Sequence, residues 1–388
     1  MRLTLILALL PTLAFAQSPA PHPEDLGTVT GHITCADTQR PARFAGVHLV
    51  PVKSTGRSPA WSLARFDQTD LTGAYTLRDI RPGDYYLSIY FSGYVNPIER
   101  FSSADLQSPT PKIQQRMQHE LQLVTVTPHA SVEADATLYP GATISGTVLY
   151  DDGSPAVDIS INVLRHDANG ESVFSDRTDS HGHYSIDSLP SGDYAIEASL
   201  DVRKEEIEKM MLVKNGQTVD TSTVQSVFSL YIYSGSVFRR KDAAIIKAEE
   251  GHDTDDADIT IPISKLHSLS GTLTAKDGHP INAGRVDLLY SDTQEEFTGV
   301  SVSDDGTFHL PYIPEGNYIL AVGEAKDIAR VDIPAQPGIA FEQIDVRTLR
   351  TYGTLQQPLT VQADIQSLNL ILPDAPTTAP PNNPTGDN

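Results

Sequence analysis

Asp70-Leu71-Thr72-Gly73-Ala74-Tyr75 returns as Asp179-Ser180-His181-Gly182-His183-Tyr184 and again as Ser303-Asp304-Asp305-Gly306-Thr307-Phe308. Ten residues beyond each glycine stands another, followed two positions on by tyrosine: Gly83 and Tyr85, Gly192 and Tyr194, Gly316 and Tyr318. Glycine fills 26 of 388 positions, so matched pairs with matched tyrosines mark an internal repeat. In each copy an Asp or Ser opens a turn by accepting a backbone hydrogen bond, and a glycine three residues later closes it in the left-handed conformation. The residues that follow alternate, Tyr75/Leu77, Tyr184/Ile186 and Phe308/Leu310, which predicts strands with one buried face. Pro82-Gly83, Pro190-Ser191-Gly192 and Pro314-Glu315-Gly316 make the next turn. The strand after it alternates again, from Tyr85, Tyr194 and Tyr318.

Upstream, a strand signal recurs as Val29–Ile33, Ile144–Val148 and Leu269–Leu273, each centred on a glycine. A proline follows nine or ten residues later (Pro41, Pro155, Pro280) and opens a further alternating run. Downstream, the copies end alike at Ala136–Pro140, Asp258–Pro262 and Leu368–Pro373. Many short strands with regular turn punctuation form the β-sandwich pattern. The predicted division is 1–16 signal peptide, 17–27 linker, 28–140, 141–265 and 266–374 sandwiches, and 375–388 a disordered Pro-rich tail. Residues 113–123 and 203–214 have spacing and composition compatible with helix, with Asn215-Gly216 as a stop for the second.

The pattern resembles the carboxypeptidase regulatory-like domain, a transthyretin-like (prealbumin-like) β-sandwich. It is similar also to bacterial collagen-adhesin B-type repeats and to starch-binding-like folds. The resemblance spans nearly all of the chain after the leader, in three copies, with Ser303 in place of Asp as a departure. It implies an all-β chain of three tandem transthyretin-like Greek-key β-sandwiches with short helical insertions, and a non-catalytic module. The motif consists of turn glycines and core residues, so it specifies fold and leaves function open.

The chain has 50 acidic and 28 basic residues, a formal charge of −22, which argues against a nucleic-acid partner. The acidity is uneven: residues 28–140 are neutral, while 141–265 carry −11 and 266–374 carry −9. The two acidic sandwiches read as solvated, mutually repelling spacers. Cys35 is the single cysteine, so no internal disulfide and no Cys-based metal site is expected; it reads as a small buried hydrophobe. Met1-Arg2, the apolar run Leu3–Leu13 and Ala14-Phe15-Ala16 fit a secretory leader with Gln17 as the new terminus. No later stretch reaches membrane-spanning length. The expected location is therefore periplasmic or secreted.

Catalytic motifs are missing from the sequence: neither His-x-x-Glu, His-Glu-x-x-His, Gly-x-Ser-x-Gly, a P-loop nor Gly-x-Gly-x-x-Gly occurs. The strands at Gly31 and Gly146 also lack the lysine that an isopeptide cross-link needs. His181-Gly182-His183 beside Asp179 has metal-ligand spacing, but the repeated turn already accounts for it, and the preferred reading is a surface pair. Asp253–Asp258 reads as a solvated acidic loop rather than a Ca²⁺ site. No cofactor is expected. Trp61, the single tryptophan, lies between strands of the neutral first copy, flanked by Arg57 and Arg65. These three are the candidate ligand-binding residues, since loops on a rigid scaffold carry function and aromatic rings stack on sugars. The expected role is extracytoplasmic binding or scaffolding at the cell envelope, with a glycan or an envelope protein as partner. The alternative is a carbohydrate-binding protein that uses the first copy. The recurring tyrosines are expected in cores and turns.

Overall fold

The structure, a computed structural model, describes residues 25–52, 66–166, 171–206, 211–214, 217–219, 225–333 and 343–375. The elements are overwhelmingly strands, as the alternation requires. The first group is β1 (Gly27–Cys35), β2 (Gly46–Pro51), β3 (Phe66–Gln68), β4 (Ala74–Ile80), β5 (Gly83–Tyr90), β6 (Leu123–Val126), β7 (Ser131–Glu133) and β8 (Ala136–Leu138). They form one sheet in the order β4-β1-β7, with β8 also on β1, and a second in the order β3-β2-β5-β6. Burial alternates along β1, and Val29 and Ile33 from one sheet share a core with Val47, Leu49, Leu87 and Ile89 from the other. Cys35 is buried in that core.

The second group is β9 (Ala142–Tyr150), β10 (Ser160–Arg165), β11 (Ser172–Arg177), β12 (His183–Leu189), β13 (Gly192–Glu206), β14 (Met211–Lys214), β15 (Gln217–Val219), β16 (Gln225–Tyr233), β17 (Ile246–Ala248), β18 (Asp253–Thr254) and β19 (Ile259–Ile261). Its sheets run β12-β9-β18, with β19 also on β9, and β11-β10-β13-β16, with β17 on β13. The third group is β20 (Leu266–Ala275), β21 (Ala283–Tyr290), β22 (Glu296–Ser301), β23 (Thr307–Pro314), β24 (Gly316–Ile333), β25 (Gln343–Thr351), β26 (Leu355–Val361) and β27 (Ile365–Leu372). One sheet runs β23-β20-β27; the other runs β15-β14-β25-β24-β21-β22, with β26 on β24. Leu269, Leu273, Phe308 and Leu310 from the first meet Val286, Leu288, Leu320 and Val322 from the second.

By compactness the chain divides into two units. One comprises Met1–Ile144, Ile186–Gly192 and Lys247–Thr254. The other comprises Ser145–Ser185, Asp193–Ile246 and Asp255–Asn388.

Of the two helices expected, one forms. Between β5 and β6 lie α1 (Ser103–Gln107) and α2 (Pro111–Glu120). Thr110 caps α2 by accepting from the Ile113 N–H, Pro111 sits where no donor is needed, and Arg116 pairs with Glu120 one turn on. The second expectation is overturned. Residues 203–206 continue β13, pairing out to Glu206 opposite Gln225, and Met211–Lys214 is β14. β14 lies parallel to β25, with Met211 opposite Gln343 and Leu212 opposite Ile344. A weak helical spacing gives way when neighbouring strands offer backbone hydrogen bonds to the segment. Asn215-Gly216, the expected stop, lies outside the described residues, as do the leader, most of the linker and the tail from residue 376.

Candidate functional site

The repeated turns are held identically. Asp70 N–H donates to the Ala74 carbonyl and Gly73 N–H to the Asp70 carbonyl; Asp179 with His183 and Gly182, and Ser303 with Thr307 and Gly306, repeat both bonds. The three closing glycines have φ of +81°, +79° and +77°, and the carbonyl of each accepts from the first strand, from Ile33, Val148 and Leu273 N–H respectively. Asp70 Oδ1 accepts from Thr72 N–H at 2.7 Å, from Thr72 Oγ1 and from Ala74 N–H. Asp179 Oδ1 accepts from His181 N–H at 2.7 Å and His183 N–H at 2.9 Å. Ser303 cannot span the same bonds, and Asp305 takes over by accepting from Thr307 N–H at 3.0 Å. Hydrogen bonding holds all three carboxyls below the ordinary range: Thr72 first for Asp70, His181 N–H first for Asp179, Thr307 first for Asp305. These carboxylates are consumed by the turn.

The tyrosines are likewise committed to backbone. Tyr75 Oη donates to the Ala134 carbonyl at 2.7 Å and Tyr184 Oη to the Ala257 carbonyl at 2.5 Å. Gly31 and Gly146 leave room for these carbonyls, since a Cβ on either would strike them. Burial raises both phenols above their usual value. The next residues, Asp135 and Asp258, accept from His32 N–H and Thr147 N–H at 2.7 Å each. This Ala-Asp pair was legible at matched places before β8 and β19, but the sequence reading passed over it. Tyr85 and Tyr318 donate to carbonyls four residues back, at Arg81 and Pro314, each at 2.9 Å.

The His181 and His183 rings stack at 6.2 Å, and His183 Nδ1 shares a 2.9 Å hydrogen bond with Thr147 Oγ1. Of the acidic segment, Asp255 accepts from Ser145 Oγ at 2.7 Å and Asp258 serves the strand edge as above. Among the described residues no group of three or more His, Cys, Asp or Glu side chains is placed to hold a metal.

Trp61, Arg57 and Arg65 lie outside the described residues. Their segment joins β2 to β3, which pair with His48 opposite Phe66 and Gly46 opposite Gln68. On β2's other side Gly46 stands opposite Tyr90 and His48 opposite Ser88. The outward face of this sheet is divided. Tyr86 is covered by Ile98, Phe101, Met117 and Leu121, so the helical insertion seals one half. The other half is bare: Phe66 is 61% exposed and Tyr90 51%. His48 lies between their rings, 5.0 Å from Phe66 and 5.2 Å, edge-on, from Tyr90. Gly46 lets the Phe66 ring lean across β2, since a Cβ there would sit 3.0 Å from Phe66 Cε2. Asn96 donates from Nδ2 to Ser88 Oγ at 3.0 Å, and both side chains meet the Tyr90 hydroxyl. Burial pushes His48 below its ordinary value, which favours the neutral imidazole. The sequence reading missed this face because its residues are scattered over three strands.

A second polar cluster occupies one end of the third group. His279 Nδ1 lies 2.6 Å from Asp277 Oδ1 and Nε2 lies 3.0 Å from Asp327 Oδ2. Tyr352 Oη donates to Asp327 at 2.5 Å, and Arg350 joins Asp277 to Asp374. Asp327 first, then Asp277, raise the His279 pKa, and the His279 bond lowers that of Asp277.

With that geometry in view, the comparisons are informative about fold. Residues 143–225 match the model of the carboxypeptidase regulatory-like domain. That stretch is similar to a carboxypeptidase regulatory-like domain. The turn Asp179–His183 and Tyr184 lie within the matched stretch. No curated protein matches the chain. Among solved structures, it is similar to the streptococcal ancillary pilin (11% identity, 90% of this chain and 99% of that one, TM-score 0.30). It is similar also to GBS52, a minor pilin of Streptococcus agalactiae (13%, 62% and 99%, TM-score 0.31). The chain spans about half of the Bacillus anthracis TIE protein (11% identity, 90% of this chain and 51% of that one, TM-score 0.19). Among the described residues, no helix is long and apolar enough to cross a membrane.

Proposed function

We propose that the protein is an exported, non-catalytic array of three transthyretin-like sandwiches, divided at 28–140, 141–265 and 266–374, that binds or scaffolds at the cell envelope. The observation that carries this reading is the fate of the repeated residues. Asp70, Asp179, Asp305, Tyr75, Tyr184, Tyr85 and Tyr318 all spend their polar atoms on backbone groups of the same fold. What the copies share is thus a scaffold, and function falls to the surfaces in which they differ. The charge split supports placing the ligand on the first copy, which is neutral while the other two are acidic.

The alternative is carbohydrate recognition through that first copy, with Trp61, Arg57 and Arg65 as contact residues; the exposed Phe66 and Tyr90 rings of the same copy favour it. Cross-linking in whole cells followed by affinity capture of the chain should recover an envelope protein or a glycan. N-terminal sequencing of the envelope or culture fraction should read from Gln17. An intact Met1 there, or turnover in a broad hydrolase screen, would overturn the exported, non-catalytic reading.

A further inference from the structure

We infer that the second and third strand groups are locked together within the second of the two units. Arg239 and Lys241, between β16 and β17, clasp Tyr290 and Asp292, at the β21–β22 turn, and no hinge lies between the groups. This goes beyond the scaffold reading and does not depend on what the protein binds. Sandwiches strung along one chain swing relative to one another unless an extensive interface holds them. Like charge adds to that tendency here, since residues 141–265 carry −11 and 266–374 carry −9. Three separate ties oppose it.

The first is the clasp. Arg239-Arg240-Lys241 is a basic run inside a stretch whose net charge is −11. The Arg239 guanidinium carbon lies 4.0 Å from the centre of the Tyr290 ring, well inside cation–π range. Its Nη1 donates to Asp292 at 2.9 Å, and Lys241 Nζ pairs with the same carboxylate. The Arg239 side chain is only 20% exposed, so salt screens its interactions less than those of a surface pair. Tyr290 is itself anchored: it packs on Phe297 and Tyr318, at 5.6 and 5.8 Å between ring centres, and these rings belong to or rest on the core of the third group. The clasp therefore grips that core rather than a loop tip, and swinging one group away would pull a mostly buried guanidinium off its ring.

The second tie is the connection itself, which has no slack. β19 ends at Ile261 and β20 begins at Leu266, and between them Lys265 N–H donates to the Pro262 carbonyl at 3.0 Å, closing a single turn. The turn is bonded to both groups. Ser264 N–H donates to Asp151 Oδ2 at 3.0 Å, just past β9. The Lys265 carbonyl accepts from Glu315 N–H at 3.1 Å, between β23 and β24. A hinge needs residues whose backbone angles can change freely. This turn cannot open without giving up bonds to both sides, and the Pro262 ring restricts one of its angles. The third tie is β14, which lies parallel to β25 and so adds backbone of the second group to a sheet of the third.

The test is the distance between two spin labels on the full chain, measured by pulsed electron paramagnetic resonance. Ser172→Cys on β11 and Ser301→Cys on β22 place exposed attachment points in the two groups, and Cys35→Ala removes the native thiol. With the joint intact, the distances should form one narrow distribution, no wider than the labels' own spread. Arg239→Ala combined with Lys241→Ala should broaden it about twofold or more, as freed domains do, with circular dichroism unchanged. Asp292→Asn, which removes the shared charge and keeps the side-chain shape, should broaden it in the same direction and takes over if the double variant does not fold. A broad distribution with the joint intact would reveal a hinge and overturn the inference. A narrow one that persists in every variant would show that the clasp does not lock the joint, and would overturn it too.

Discussion

Gly182 and Gly278 share a left-handed backbone, at φ +79° and +88°, but not a neighbourhood. A Cβ on Gly182 would collide with the Val148 carbonyl, while one on Gly278 would meet nothing within 4 Å. Gly278→Ala should therefore cost only the left-handed penalty of roughly 1–2 kcal/mol. Gly182→Ala should add the clash and cost more than about 3 kcal/mol. Urea titration of each variant checks the difference; equal losses would show that conformation alone selects the repeated glycine. Tyr184→Phe should cost about 1–2 kcal/mol, because the Ala257 carbonyl loses its donor in a buried place. Phe308 is the natural counterpart: it packs against Gly271 without a hydroxyl. At this scale the sequence showed that the glycines and tyrosines recur. It did not show that Gly31, Gly146 and Gly271 make room for a carbonyl, since the carbonyls come from segments about 100 residues away.

Helix α2 and the segment 203–214 read alike by spacing, and only one became a helix. α2 has a Thr110 cap, a well-placed Pro111 and the Met117 side chain buried. The other segment has partners waiting instead, β16 and β25. Helical spacing over some ten residues is weak evidence when a sheet edge is available. The insertion carrying α2 is also tied down by charge: Arg100 makes a two-pronged bond to Glu250, at 2.9 and 2.6 Å, and both side chains are three-quarters covered. Arg100→Ala should destabilise the chain by about 1–3 kcal/mol, and Glu250→Ala alike. The double variant should cost less than the sum, which a double-mutant cycle by thermal denaturation measures.

The His279 cluster predicts a pH dependence whose sign follows from the two shifts. His279 titrates above its unfolded value of 6.5, so its contribution is complete below that pH and is lost as pH rises through the raised value. Asp277 titrates below 3.8, so its contribution is complete above that pH and fades only in stronger acid. The wild type should thus lose melting temperature above pH 6.5 by a step that His279→Gln lacks. Parallel curves for the two proteins from pH 5 to 9 would reject the cluster as the cause. Of the turn at residues 277–280 the sequence singled out only Pro280, as the opening of an alternating run. The partners Asp327, Tyr352 and Asp374 are remote in sequence, so only folding reveals the cluster.

Across the whole molecule, the charge of −22 and the pI near 4.8 govern colloidal behaviour. Light scattering should show association rising as pH approaches 4.8 and falling on either side; a flat profile would contradict charge repulsion as the solubilising force. The all-β class and the repeated turns followed from the sequence alone. Turn glycines and period-two burial are local properties, set by the backbone of each residue and its immediate neighbours. Which strand meets which was decided by tertiary structure. The addition of β14 to β25, the joining of Arg100 to Glu250 and the gathering of His48, Phe66 and Tyr90 on one face all depend on pairing between distant segments. Such contacts form only when backbone hydrogen bonds and buried surface outweigh the entropy of closing long loops, and no local pattern records that balance.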